Sequence, residues 1–280
     1  MSVVAQGPLA GRTLRQLVAE AGPALVGKGF HGGVFPLMVK TIDAADHLSV
    51  QVHPDDATAA ILGAGEHGKT ECWVILADGG ALFQGTRPGV NREAFERALA
   101  DHTLVATLNR FEGRAGDVFF IEARTVHALD EGCLLYEIQQ TSDITFRVYD
   151  WDRMGLDGKP RPLHVAESLA TIDFSRAGFG PLRPAWQDDP AGGVASRSLV
   201  TCPYFAVEQF RVSAGATLRR PSRDVCAVVT CIDGRGVLAT DGGALQLVPM
   251  QTALLPAAAG AWRVRSDSAT LDLLVASPQY

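Results

Sequence analysis

Apolar and polar residues alternate along much of this chain with period two, the spacing of strands, and four short stretches carry helical spacing instead. Leu48-Ser-Val-Gln-Val-His53 alternates, and Phe35-Pro-Leu-Met-Val-Lys-Thr-Ile42 is a short apolar run; both read as strands. Further strands are expected at 70–76, 81–84, 116–121, 125–129, 133–140 and 144–149. Helices are expected at 11–22, where Thr13 offers a cap and Leu14, Leu17 and Val18 share a face, and at Asp56–Leu62 behind Pro54. Two more are expected at Asn91–Ala100, with Phe95 and Leu99 inward, and at Leu163–Thr171. Residues 174–198 are rich in Pro, Gly and Ala and lose periodicity, which marks a boundary. Short strands follow at 203–213, 224–231, 235–240, 243–248, 252–256, 261–266 and 269–276. Asp233-Gly234, Asp241-Gly-Gly243 and Ala258-Ala-Gly260 supply turns between them.

The pattern predicts a mainly β chain of two domains, 1–175 and 176–280. With 280 residues, 47% of them hydrophobic, each half is long enough for its own core. All seven histidines fall at or before His164, so only the first domain can hold a metal through imidazole, and the second is expected to carry no metal site. A net charge of −6 argues against a nucleic-acid partner, which needs a basic face. Five scattered cysteines, with no C-x-x-C, fit reduced thiols in a cytoplasmic protein. No signal peptide is read at the N-terminus, and no apolar run approaches the ~18 residues of a membrane helix, so no membrane partner is expected.

The chemistry concentrates in three segments. Gln51 and His53 are two residues apart on a strand and therefore share a face. Glu71 opens the strand Glu-Cys-Trp-Val-Ile, and His127 follows the Gly116-Asp117 turn and its strand. Singly, each reads as a rim residue or a satisfied core histidine. Together they are two imidazoles, one carboxylate and one amide delivered by three strands, a set that suits a divalent metal. Glu137, Gln139 and Arg147 can alternate into the same cavity, and an arginine there suits a phosphate or an enediolate. Gly63-Ala-Gly-Glu-His-Gly-Lys-Thr70 fits the phosphate-loop pattern, but a helix precedes it and a strand follows, the reverse of what that loop needs.

As a set, these residues closely resemble class I mannose-6-phosphate isomerases of the short bacterial type, which are zinc-dependent cupins. The matching segments are Ser49-Val-Gln-Val-His-Pro-Asp-Asp56, Gly68-Lys-Thr-Glu-Cys-Trp73, Gly116-Asp117, His127-Ala-Leu129, and Gln139-Gln-Thr-Ser-Asp143 running on to Phe146-Arg-Val-Tyr-Asp-Trp-Asp-Arg153. The resemblance implies two cupin-like jelly-roll β-barrels with a few short helices, and N-terminal strands of the family are expected to be absent here. It implies one Zn2+ per chain on His53, Glu71, His127 and Gln51, a catalytic Arg147, and Lys69, Glu137 and Asp143 lining the pocket, the first two in proton transfer and Asp143 on substrate. The implied reaction is mannose 6-phosphate to fructose 6-phosphate and back through a cis-enediol(ate), by a monomer or homodimer. Two positions depart from the family: its turn before the last histidine reads Pro-x-Gly-x-x-His, here Glu122-Ala-Arg-Thr-Val-His127, and Met250 stands where a glycine precedes Leu-Leu-Pro. The alternatives are a non-catalytic sugar-phosphate-binding cupin derived from this family and, more remotely, an iron-dependent cupin oxygenase, since two His and one carboxylate also form an iron triad.

Overall fold

The computed structural model describes residues 2–63, 65–155 and 158–280. The chain divides into two compact units, Met38–Arg183 and a second made of Met1–Leu37 with Pro184–Tyr280. Both are mainly β, and in each the strands form two sheets.

In the first unit one sheet has the order β1 (Leu37–Asp43), β8 (Leu134–Gln140), β3 (Glu71–Ile75) and β6 (Val118–Ile121). The other has the order β5 (Leu108–Glu112), β4 (Ala81–Thr86), β7 (His127–Leu129), β2 (Val50–Val52) and β9 (Phe146–Tyr149). The hydrogen bonding runs as two open sheets rather than round a closed barrel. Trp73, Ile75, Phe119, Ile121 and Leu135 of the first sheet pack with Leu82 and Leu129 of the second. The opposite face of the second sheet presents Val50, Val52, Phe83, Val126, Phe146 and Val148. It is covered by Phe95 of α3 (Arg92–Ala100), Leu104 of a 3-10 turn and Ile172 at the end of α4 (Val165–Thr171). The helices inserted among the strands thus bury one face of a sheet whose other face is turned to the site. Their starts follow capping chemistry: Asn91 accepts from the Ala94 amide at 2.9 Å, and Asp55 caps α2 (Asp56–Ile61) by accepting from Thr58 at 2.7 Å.

The second unit begins with α1 (Leu14–Val26), whose Thr13 and Gln16 form a reciprocal capping box. Gly22, at φ 41° and ψ −117°, breaks the helical geometry just before Pro23. A six-stranded sheet runs β10 (Gln187–Asp188), β11 (Val194–Thr201), β12 (Phe205–Ser213), β19 (Thr270–Pro278), β14 (Ala227–Asp233) and β17 (Thr252–Leu255). A four-stranded sheet runs β13 (Thr217–Arg220), β18 (Trp262–Ser266), β15 (Gly236–Thr240) and β16 (Gly243–Leu247). Phe210, Val212, Leu218, Val229, Leu238, Leu247, Val264 and Leu271 fill the space between them. Met250 adopts φ 66°, the left-handed conformation that favours the glycine of the family pattern.

The division differs from the expected 175/176 boundary at two places. The first 37 residues, expected with the histidine-bearing half, pack with residues 184–280. Backbone pairing draws them there: Gly27 bridges Val225, and the Cys226 amide donates to the Val26 carbonyl at 2.9 Å. A side chain at Gly27 would stand 2.7 Å from the Asp224 carbonyl oxygen, so the approach needs glycine. Residues 176–183, placed by composition beyond the boundary, stay with the first unit. Leu182 bridges Val118, and Arg183 binds the buried Asp117 carboxylate through two nitrogens at 2.6 and 3.0 Å.

Candidate metal centre

Strand register builds the site. Across the five-stranded sheet Gln84 lies opposite His127, His127 opposite Gln51, and Gln51 opposite Arg147. Residues directly opposed on antiparallel strands project from the same face, so the four side chains form one polar row on the side away from α3 and α4. In the other sheet Glu71 lies opposite Gln139 and Trp73 opposite Glu137, forming a second polar patch. The two rows bring Glu71 between the imidazoles. His53 Nε2 is 3.5 Å from one Glu71 oxygen and His127 Nε2 is 3.7 Å from the other. One ligand atom from each of the three lies within 4.8 Å of the others, and all three residues are buried. His53 stands just past the end of β2. Its carbonyl accepts from the Arg124 amide at 2.6 Å, which ties it to the turn that delivers His127.

The donor set fits a cation. Among the described residues, both Glu71 oxygens and His53 Nε2 are buried without a hydrogen-bond partner. Lys69 approaches one Glu71 oxygen at 3.0 Å as an ion pair. Buried polar atoms of this kind are costly unless something binds them. His127 Nδ1 faces the Thr125 carbonyl at 2.9 Å, which can only accept, so Nδ1 carries the proton and Nε2 offers its lone pair to the cluster. The two imidazole–carboxylate separations, 3.5 and 3.7 Å to different Glu71 oxygens, are near the edge of about 3.4 Å that bonds of about 2.1 Å set around zinc. Gln51 is alongside, its amide nitrogen 3.3 Å from His127 Nε2, and a half-turn of the amide presents its oxygen.

Burial, above all, pushes His127 down to about 4, with Lys69 adding to the shift. Burial also holds His53 well below its ordinary value, followed by the charges of Lys69 and His127. Both imidazoles are therefore neutral at pH 7, the form that binds metal. Glu137 is displaced upward, first by burial and then by the neighbouring Glu71 charge. Its oxygens accept from Lys40 Nζ at 2.8 Å and from Trp73 Nε1 at 2.9 Å, and Lys40 also bonds Gln139.

Of the residues singled out by sequence, the structure gathers Gln51, His53, Lys69, Glu71, His127 and Glu137, with Arg147 beside Gln51 in the row. Asp143 is exposed, and its amide donates to Glu66 at 2.8 Å. Lys40 and Trp73 belong to the site, although the sequence shows them only as parts of apolar strands. A lone lysine inside the run 35–42 is the available signal.

The departure before His127 also has a geometric answer. Arg124 occupies the place of the family glycine and adopts φ 72°. That left-handed backbone is strained for a residue with a Cβ. The guanidinium offsets part of the strain, donating to the Thr171 carbonyl at 3.1 Å and lying 3.8 Å from Asp55.

Paired sheets with a buried His–Glu–His cluster define a cupin with a metal-type site in its first unit. Known proteins point to the same lineage. A family model described as phosphomannose isomerase type I, catalytic domain, matches residues 1–72, and one described as mannose-6-phosphate isomerase, cupin domain, matches 195–273. A mannose-6-phosphate isomerase of Streptococcus mutans is 36% identical over 236 residues, covering 84% of this chain and 72% of its own. A probable mannose-6-phosphate isomerase of Bacillus subtilis, GmuF, is 33% identical over 99% of this chain and 85% of its own. The crystal structure of a mannose 6-phosphate isomerase from Bacillus subtilis superimposes with a TM-score of 0.88 at 28% identity, covering 98% of this chain and 85% of that one. The chain belongs to the mannose-6-phosphate isomerase family.

Two outcomes follow from the strained turn and the buried imidazoles. Arg124→Ala keeps the left-handed backbone while losing the guanidinium, and Arg124→Gly loses both, so the glycine variant is expected to be more stable by about 1 kcal/mol in urea unfolding. Equal stabilities would refute the strain. His127 takes up its proton below about pH 4 when folded and near its ordinary 6.5 when unfolded. The unfolded chain binds more protons in that window, so metal-free stability falls as pH drops from 6.5 to about 4, by about 1.4 kcal/mol per unit for His127. Urea midpoints across this range, compared with His127→Gln, measure the slope; identical slopes in both proteins would contradict the assignment.

Proposed function

We propose that this chain is a zinc-dependent aldose–ketose isomerase that interconverts mannose 6-phosphate and fructose 6-phosphate. The observation that carries the reading is the buried Glu71 between His53 and His127, its charge felt by Glu137, with Arg147 opposite Gln51 on the same sheet. His53, Glu71 and His127 would hold one Zn2+, with Gln51 as a fourth ligand. When bound, zinc supplies a Lewis acid that polarises the sugar oxygens at C1 and C2.

The remaining chemistry falls to side chains. Isomerisation removes the proton from C2 of the aldose, passes through a cis-enediol(ate) and returns a proton to C1. Glu137 is suited to carry that proton, because its raised carboxyl sits nearer neutrality than an ordinary glutamate and Lys40 and Trp73 hold both oxygens in place. Lys69, buried 3.0 Å from Glu71, is the second proton-transfer group in reach. Arg147 stabilises the oxyanion. Its Nε is buried and donates to none of the described residues, and its guanidinium stays charged. Asp143, whose side chain is exposed, is the group left to meet the substrate rather than to move a proton.

The purified chain is expected to isomerise mannose 6-phosphate, to lose turnover to a chelator and to regain it with zinc. His127→Ala and Glu71→Ala should lose both metal and activity, by more than the ~10–100-fold that removal of an outer-shell partner costs. Tight sugar-phosphate binding without turnover at saturating zinc would instead establish the non-catalytic alternative.

A further inference from the structure

Strand β9 is an edge of its sheet, yet part of its open side is covered. Residues 161–164 run back along it. The His164 amide donates to the Arg147 carbonyl at 2.7 Å, and the Arg147 amide donates to His164 Nδ1 at 3.2 Å. Three residues further along each strand, Arg161 Nε donates to Asp150 Oδ2 at 2.7 Å, and Arg161 Nη2 bonds Oδ1. Arg147 thus faces His164 and Asp150 faces Arg161, the spacing of an antiparallel pair closed at one end by backbone and at the other by an ion pair. Between these anchors the Pro162 carbonyl accepts from Arg147 Nη1 at 2.8 Å. Proline brings no N–H and a fixed φ, so this stretch offers the guanidinium an acceptor on a stiff backbone.

Asp150 is buried, and Arg153 Nη2 also donates to its Oδ1, at 2.9 Å. Arg153 is held on its other side by Asp46 at 2.9 Å, so it stays with the sheet. Arg161 is the part of this group that belongs to the returning strap. A bidentate guanidinium–carboxylate pair fixes direction as well as distance, which an ammonium cannot reproduce.

We infer that Arg161 is a positioning residue: its bond to Asp150 pins the 161–164 strap, whose Pro162 carbonyl fixes the orientation of the Arg147 guanidinium beside Gln51. The inference rests on the reading of Arg147 as the group that meets the substrate oxyanion. Arg161 itself touches no reacting atom.

The test is a cycle of Arg161→Gln and Arg161→Lys in the wild-type and Arg147→Lys backgrounds, with kcat and KM for mannose 6-phosphate, metal content and melting temperature. Arg161→Gln is expected to lower kcat about 10-fold, within the range that misplacement of an aligned group costs, with KM and metal content unchanged. In the Arg147→Lys background it should change kcat by less than about twofold, because its effect passes through the residue already altered. Arg161→Lys, which keeps the charge and spares the fold, should also lower kcat without moving the melting temperature. Effects that multiply across the two backgrounds, or a kcat loss that tracks metal loss, overturn the inference. Exchange of the Arg147 Nε–H, followed by NMR, separates this failure from failure of the isomerase reading. If the wild-type chain shows no turnover but exchange quickens at least about tenfold in Arg161→Gln, the isomerase reading falls and the positioning stands. Unchanged exchange overturns the positioning whatever the activity.

Discussion

One carboxylate sets the terms for the first unit. Glu71 leaves water at the head of β3 and arrives between two imidazoles from the other sheet's side, with neither oxygen hydrogen-bonded among the described residues. A buried anion in that state is tolerable only with a compensating charge, and Lys69 supplies part of it at 3.0 Å. A cation held by His53, Glu71 and His127 would supply the rest. The apolar packing of Trp73, Phe119, Leu82 and Leu129 holds the two sheets at the spacing that lets His53, Glu71 and His127 converge. The interior of the second unit is lined instead by Phe210, Val229, Leu238 and Val264, and nothing comparable is asked of it.

Around that carboxylate, orientation is enforced by bonds that carry no chemistry of their own. The Thr125 carbonyl selects the His127 tautomer. Trp73 and Lys40 occupy the two oxygens of Glu137. Arg124 accepts a left-handed backbone so that its amide can hold the His53 carbonyl. Placing a larger residue where the family has glycine concentrates strain next to the ligands, where the surrounding bonds over-determine the backbone. These bonds set the orientation of the His127 ring and the Glu137 carboxyl within the protein itself.

Much of this is legible in the chain, and what is not has a common cause. The convergence of Gln51, His53, Glu71 and His127 is readable because period-two spacing puts neighbours on one face and because several ligand-type groups recur on successive strands. The helix caps Thr13, Asp55 and Asn91 are readable because their bonds close within three residues. Lys40 is not, because its meaning depends on β1 lying beside β8, a pairing between strands far apart in sequence. The same holds for the first 37 residues, whose unit is decided by the bridge between Gly27 and Val225. Strand β5, Leu-Asn-Arg-Phe-Glu, escapes a reading by pattern because it is half-exposed and carries two charges, and β11 because small and polar residues dilute its alternation. Asp143 is placed by motif similarity alone, and strand pairing adds nothing to it because it lies in the exposed turn between β8 and β9.

The proposed chemistry turns on whether the converging buried atoms of His53, Glu71 and His127 hold zinc. The most direct measurement is a crystal structure of the zinc-loaded protein with anomalous data collected on both sides of the zinc absorption edge. A single strong peak bonded to His53 Nε2, Glu71 and His127 Nε2, with the Gln51 amide turned to offer its oxygen, is the expected result. No peak at that position in a folded, zinc-saturated protein, or a peak on other residues, would contradict it.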